Sequence, residues 1–185
     1  MYKYKIISFY KYVNIENPES LAKEHLNWCV ANGVKGKVYL PKEGINGSVF
    51  GEEDCTQKYK NHLKSYKDFE DICFKETPTD IIAFNKMHIR VKEEIVNSGM
   101  RDTKLEHTAP KLTPEQLLKF YVDKKDFIIV DARNWYESRI GKFKSAITPQ
   151  ITHFREWPKV VESLKDYKDK TIVTYCTGGI RCEKA

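Results

Sequence analysis

The sequence predicts an α/β protein in two parts, an N-terminal α+β sandwich followed by a unit built on a parallel sheet. Three observations carry that expectation. Strand-like and helix-like segments alternate in the order βαββαβ, with one extra strand, through the first half of the chain. Residues 97–112 then lose their periodicity and most of their apolar character, as a linker does. Beyond them, Phe127–Asp131 and Thr171–Tyr175 are short continuous apolar runs, the pattern of strands covered on both faces.

Each element has a local reason. Tyr4 to Val13 is rich in Ile, Phe and Tyr and reads as a strand. Asn17-Pro18-Glu19 supplies an N-cap, a proline for the first helical position and an early acid. Leu21, Ala22, His25, Leu26, Trp28, Cys29 and Val30 then follow a helical stripe that ends at Asn32-Gly33. Val38-Tyr39-Leu40 and Gly47-Ser48-Val49-Phe50 are predicted strands on either side of a turn-rich segment, and Asp54 to Tyr66 a second helix. Phe69 to Lys75 and Ala83 to Val91 read as further strands. That order is the split βαβ of a ferredoxin-like (acylphosphatase-like) domain, assigned to residues 1–96. Residues 97–112 form the expected linker, and residues 113–185 the second domain. There Thr113-Pro114-Glu115-Gln116 has capping-box spacing, with Leu117, Leu118, Phe120 and Tyr121 as the apolar face. A helix from Trp157 to Tyr167 is expected between the two apolar strands, whose carboxyl ends should carry the functional loops.

Composition narrows the class. The chain has 185 residues, 41% hydrophobic and 31% charged, enough apolar content to argue against wholesale disorder. No apolar run approaches the roughly 18 residues of a membrane span, and Met1-Tyr2-Lys3-Tyr4-Lys5 does not resemble a secretory signal. A cytoplasmic protein without membrane partners is the expectation. The net charge of +6 is uneven: residues 1–100 hold 15 basic and 14 acidic side chains, residues 101–185 hold 17 and 12. That bias suits a polyanion such as RNA, and a solvated lysine-rich surface explains it as well. Five cysteines without a CxxC pair indicate neither a disulfide framework nor a zinc ribbon, and with His88, His107 and His153 isolated in sequence no metal is expected.

One cysteine stands apart. Cys176 follows a strand directly and is succeeded by Thr177, Gly178, Gly179, Ile180 and Arg181. Two glycines let successive amide N–H groups turn into a loop, and a helix beginning there adds a positive dipole end. With Arg181 nearby, these features should lower the Cys176 thiol pKa and hold an anion or a persulfide. Four residues separate Cys176 from Arg181, one fewer than in cysteine-dependent phosphatase loops, so a phosphoryl group fits poorly. Arg133 and Asp131 end the preceding strand, at the sheet edge where α/β sites gather, and a structural ion pair explains them equally. Cys182 is read as a packed residue or a resolving thiol; Tyr39, Arg90 and Lys92 as an RNA surface or a solvated strand face.

Asp131-Ala132-Arg133-Asn134-Trp135-Tyr136-Glu137, Phe154-Arg155-Glu156-Trp157-Pro158 and Tyr175 through Ala185 resemble the rhodanese portion of the oxygen-dependent tRNA uridine hydroxylases. Pro41 through Gly47 and Lys86 through Val96 are similar to that family's N-terminal domain. The resemblance implies hydroxylation of the wobble uridine of tRNA to 5-hydroxyuridine, with Cys176 catalytic and Arg181, Gly178, Gly179 and Arg133 as substrate- or anion-binding residues. It implies tRNA as partner, molecular oxygen as co-substrate, and no bound cofactor. It further implies that the family continues past this loop, so that the rhodanese-like domain of this chain is incomplete at Ala185. A rhodanese-type sulfurtransferase working through a Cys176 persulfide, or an inactive RNA-binding remnant, are the other readings.

Overall fold

Tyr4–Tyr12 (β1) turns Ile7 and Phe9 to one side, where both are buried, and the chain then reverses into helix α1, Pro18–Ala31. The Asn17 side chain accepts the Ser20 amide at 2.9 Å and Pro18 opens the first turn, as the sequence predicts. His25 and Cys29, four apart, lie on the buried face of α1. Strands β2 (Lys35–Tyr39) and β3 (Gly44–Gly51), helix α2 (Glu53–Lys64) and strands β4 (Phe74–Thr79) and β5 (Met87–Arg90) follow. The strands form one sheet in the order β4-β1-β3-β2-β5, antiparallel except for the β2–β5 pair. The first four strands have the split-βαβ arrangement, and β5 extends its edge in parallel. Ile7, Phe9, Val38 and Val49 from the strands meet Cys29, Tyr59 and Leu63 from the helices in one core. The other face of the sheet is left uncovered by either helix. Gly36 makes the β2–β3 approach possible: a Cβ there would sit 2.4 Å from the Ser48 carbonyl oxygen.

This computed structural model describes residues 2–100 and 108–185, in two compact units that divide between Ile95 and Val96. Of the linker expected over 97–112, residues 101–107 lie outside the described residues; Val96 and Met100 pack against the core of the second unit. That unit holds α3 (Pro114–Val122), β6 (Phe127–Asp131), α4 (Trp135–Ile140), α5 (Trp157–Ser163) and β7 (Thr171–Tyr175). The Thr113 capping box is present, with Gln116 N–H donating to the Thr113 hydroxyl at 3.2 Å and Thr113 N–H to the Gln116 side chain at 2.8 Å. β6 and β7 pair in parallel, and Val130, Ala132, Ile151, Phe154, Trp157 and Val160 form the core beside them.

Several boundaries differ from the sequence expectation. Phe69 belongs to a single 3₁₀ turn, Lys67–Phe69, and the strand starts at Phe74; Phe69 and Ile72, three apart, both drop into the core as a turn allows and a strand does not. β4 is an edge strand, which is why Pro78 is tolerated in it. The Trp157 helix ends at Ser163 and gives way to a 3₁₀ turn at Lys165–Tyr167. Helix α4 was not anticipated, although Asn134 and Glu137 have cap spacing. β7 is less covered than its apolar run implies: Ile172 remains 39% exposed, whereas β6 is buried from Ile129 onward.

Candidate active site

In-register pairing of Asp131 with Tyr175 brings the carboxyl ends of β6 and β7 together, so the turns after both strands emerge side by side. The Ala132 amide donates to the Tyr175 carbonyl at 2.9 Å, which extends the pairing into the turn. Asp131, fully buried, ties the two turns together. Its carboxylate accepts the Arg133 amide at 2.9 Å, the Arg133 guanidinium at 2.8–3.2 Å, the Ser138 hydroxyl at 2.9 Å and the Tyr175 phenol at 2.6 Å. Burial pushes this carboxyl up, and the Arg133, Tyr175 and Ser138 donors more than reverse it, leaving Asp131 below the usual carboxylate range.

Helix α4 supplies the second carboxylate. Arg181 places both ends of its fork on Glu137 at 2.7 Å, and the Thr177 hydroxyl donates to the same carboxylate at 2.8 Å. Glu137 also accepts the Asn134 amide at 3.1 Å, so one side chain caps its own helix and clamps the loop after β7 from two points. The Arg181 guanidinium holds the Glu137 carboxyl down to about 2.

Inside this clamp lies Cys176. The Gly179 amide donates to its sulfur at 3.0 Å. The Cys182 thiol and the amides of Arg181, Gly178 and Cys182 favour the thiolate as well, and together they outweigh burial, so the Cys176 thiol lies well below its ordinary range. Cys182 moves the other way and keeps its proton, because a thiolate sits beside it and burial disfavours a second charge. Gly179 has φ +94°, a conformation that favours glycine. Gly178 is different: a Cβ there would meet nothing within 4 Å, so its contribution is the amide and not the missing side chain.

The expected helix after the loop is replaced by tight turns over residues 180–184. Cys182 N–H bonds to the Gly179 carbonyl, Lys184 to Arg181 and Ala185 to Cys182, all with i→i−3 spacing. Individual amides therefore supply what a helix dipole was expected to supply. The two arginines also differ from simple anion holders. The Arg133 guanidinium is occupied by Asp131 and donates to the Gly141 carbonyl at 2.6 Å, lying 5.1 Å from the Tyr175 ring centre. Arg181 is occupied by Glu137, with its charge still facing the Cys176 sulfur.

A cleft of about 470 Å³ opens beside the loop, lined by Asn97, Asn134, His153, Phe154, Arg155 and Arg181 among others. Asn134 lies in the Asp131–Glu137 motif but carries no site role in the sequence reading, and nothing in the sequence marks Asn97; the Asn134/Glu137 cap spacing is the signal that locates the first. Among the described residues no group of three or more His, Cys, Asp or Glu side chains is placed to hold a metal ion, and no helix is long and apolar enough to cross a membrane.

Comparison with known proteins matches two family models to these units. Residues 4–95 match the UPF0176 acylphosphatase-like domain and residues 113–185 the rhodanese-like domain. Curated relatives named tRNA uridine(34) hydroxylase are similar along almost the whole chain. The Acholeplasma laidlawii protein is 45% identical over 98% of this chain and 58% of its own length. The Staphylococcus haemolyticus protein is 43% identical over 98% and 57%, and a Streptococcus agalactiae protein 42% identical over 98% and 58%. The chain thus spans a little over half the length of these relatives.

Proposed function

Because the chain belongs to the family that joins a UPF0176 acylphosphatase-like domain to a rhodanese-like domain, we propose that it serves the reaction its curated relatives are named for, hydroxylation of uridine 34 in tRNA. The product is 5-hydroxyuridine: one atom of molecular oxygen enters the ring and the other leaves as water with two electrons from an external reductant, and the cytoplasm is the place of action. Cys176 is the catalytic residue. The observation that carries this is the cradle around its sulfur: a 3.0 Å amide contact from Gly179 in a loop held by the Arg181–Glu137 fork. Such a loop keeps a thiolate charged and aimed, the condition for a sulfur that acts as a nucleophile or carries a second sulfur.

The other site residues have separable roles. Gly178 and Gly179 present amides to the sulfur and to any anion that forms on it. Arg181 balances the charge of the thiolate while Glu137 fixes its position. Arg133 is a positioning residue, since Asp131 and Gly141 hold it and through them it sets the turn after β6. The adjacent cleft is where a uridine would enter, with Arg155 and His153 at its wall.

Nucleoside mass spectrometry of tRNA from cells lacking the gene tests this. Loss of 5-hydroxyuridine and its derivatives is expected, with restoration by the wild-type gene and none by Cys176→Ser. An unchanged nucleoside profile in the deletion strain overturns the proposal.

A further inference from the structure

The face of the first unit's sheet that neither helix covers has its own chemical pattern. Register places His88, Lys37, Ser48, Ser8 and Lys75 in one row across all five strands. A neighbouring row runs Arg90, Tyr39, Asn46 and Tyr10. Neither row contains a carboxylate. Lys37, Lys75 and Arg90 are exposed, and so is Lys35 one step along β2. Among the described residues no ion pair forms to any of these four.

The opposite side of the same sheet shows what an ordinary charged surface looks like here. Lys5 is paired with Glu53 and Glu76, Lys60 with Glu76, and Lys11 with Asp71. Neutralisation on that side and its absence on the open face amount to a charge asymmetry within one sheet. The charge sum of the first half conceals it, since 15 basic and 14 acidic side chains nearly cancel.

The shape fits a strand of nucleotides. The Ser8 and Ser48 hydroxyls bond to each other at 2.8 Å and form a low floor between Lys37 and Lys75. Those two lysines stand three strand spacings apart, about 14 Å. Tyr39 is flanked by Lys37 and Lys92, whose ammonium groups lie 5.3 and 5.6 Å from its ring centre. A stacking ring set among cations is the combination that binds single-stranded nucleic acid: bases stack on the ring and phosphates meet the lysines.

We propose that this open face, centred on Lys37, Tyr39, Lys75 and Arg90, binds single-stranded RNA. It extends the reading of the chain as a tRNA-modifying protein by giving the first unit an RNA contact of its own, separate from the Cys176 loop. An anionic membrane surface is the competing polyanion, but the two rows hold no aliphatic side chain to insert into it.

The test is fluorescence anisotropy of the 185-residue chain with a labelled single-stranded oligoribonucleotide across a salt series. The triple variant Lys37→Gln/Lys75→Gln/Arg90→Gln is expected to lose at least about tenfold in affinity and to lower the salt slope by about 2, at roughly 0.7 per phosphate contact for single strands. Tyr39→Leu is expected to weaken binding about fivefold or more with the slope unchanged, the signature of lost stacking. Lys165→Gln, at an exposed lysine of the second unit outside both sites, is expected to bind as wild type; binding is read here and modification by the nucleoside profile, so a failure of either reading leaves the other standing. Wild-type affinity and slope in the triple variant overturn the proposal. So does a variant that loses binding only to vesicles of anionic lipid, since the partner would then be a membrane. All four side chains are partly or fully exposed, and unchanged thermal unfolding confirms that the variants are folded.

Discussion

Cys29 and Cys176 both pack into a core, one in each unit, and their thiols are driven in opposite directions. Cys29 sits on the buried face of α1 among Ile, Val and Leu side chains, and burial pushes it up to about 12. Cys176 packs against the second core and is lowered, because the Cys182 thiol and a ring of backbone amides donate to the thiolate. Desolvation acts on both sulfurs; only donors decide the sign. The comparison teaches that neither burial nor residue type marks a reactive cysteine. What marks it is whether the local backbone points N–H groups at it.

The largest expected effect is the reactivity contrast itself. Iodoacetamide treatment of the native chain at neutral pH, read by peptide mass spectrometry, should label Cys176 about a hundredfold or more faster than Cys29. The Cys176 rate should titrate with a midpoint below the free-thiol value of about 8.5. Equal labelling of the two would break the comparison.

The first unit offers a second group governed by burial. His25 is 1% exposed and its Nε2 lies 2.9 Å from the Tyr59 hydroxyl; burial, then the nearby His62, lowers it to about 4. A histidine with a depressed folded pKa binds its proton more readily when unfolded, so its contribution is full above about pH 6.5 and is lost as pH falls toward 4. A shift from 6.5 to about 4 corresponds to a loss of about 3 kcal/mol across that window. Amide hydrogen exchange in β1 and β3 should report it, and a pH-independent exchange rate (after correction for intrinsic chemistry) would contradict it.

Two smaller effects dissect the loop. Cys182→Ala removes the largest single contribution favouring the Cys176 thiolate, and should raise its alkylation midpoint by about one pH unit. Glu137→Gln weakens the clamp without touching the sulfur, and should raise the midpoint by less, a few tenths of a unit. The Glu137 carboxyl, held near 2 by Arg181, titrates below its unfolded value, so the clamp's contribution persists above about pH 4.5 and disappears only as pH falls toward 2. If Glu137→Gln outweighed Cys182→Ala, loop position and not sulfur–donor contact would be the controlling factor.

Much of the fold was legible because its signals are local. Asn17-Pro18 and Thr113-Pro114-Glu115-Gln116 announce helix starts through side-chain caps within four residues, and both caps are present. Phe127–Asp131 and Thr171–Tyr175 were placed with their observed boundaries, since continuous apolar runs between polar segments leave little choice. Errors fell where one residue has two local fates. Phe69 and Ile72 satisfy a strand by composition and a turn by spacing, and burial against Tyr66 and Leu63 selected the turn. Cys176 was legible as the special cysteine from Gly178, Gly179 and Arg181. Its clamp was not, because Glu137 lies 44 residues away from Arg181 in sequence.

The sequence by itself marked most of the strands and helices and singled out the candidate nucleophile, readings that depend on neighbours within a few positions. Tertiary structure alone decided that both arginines are held by internal carboxylates, that Cys182 donates toward Cys176, and that Lys37, Lys75 and Arg90 share one face of a sheet. Those outcomes depend on strand register and on turns meeting at a sheet edge. Distances between residues far apart in the chain exist only once the backbone hydrogen bonds have set them.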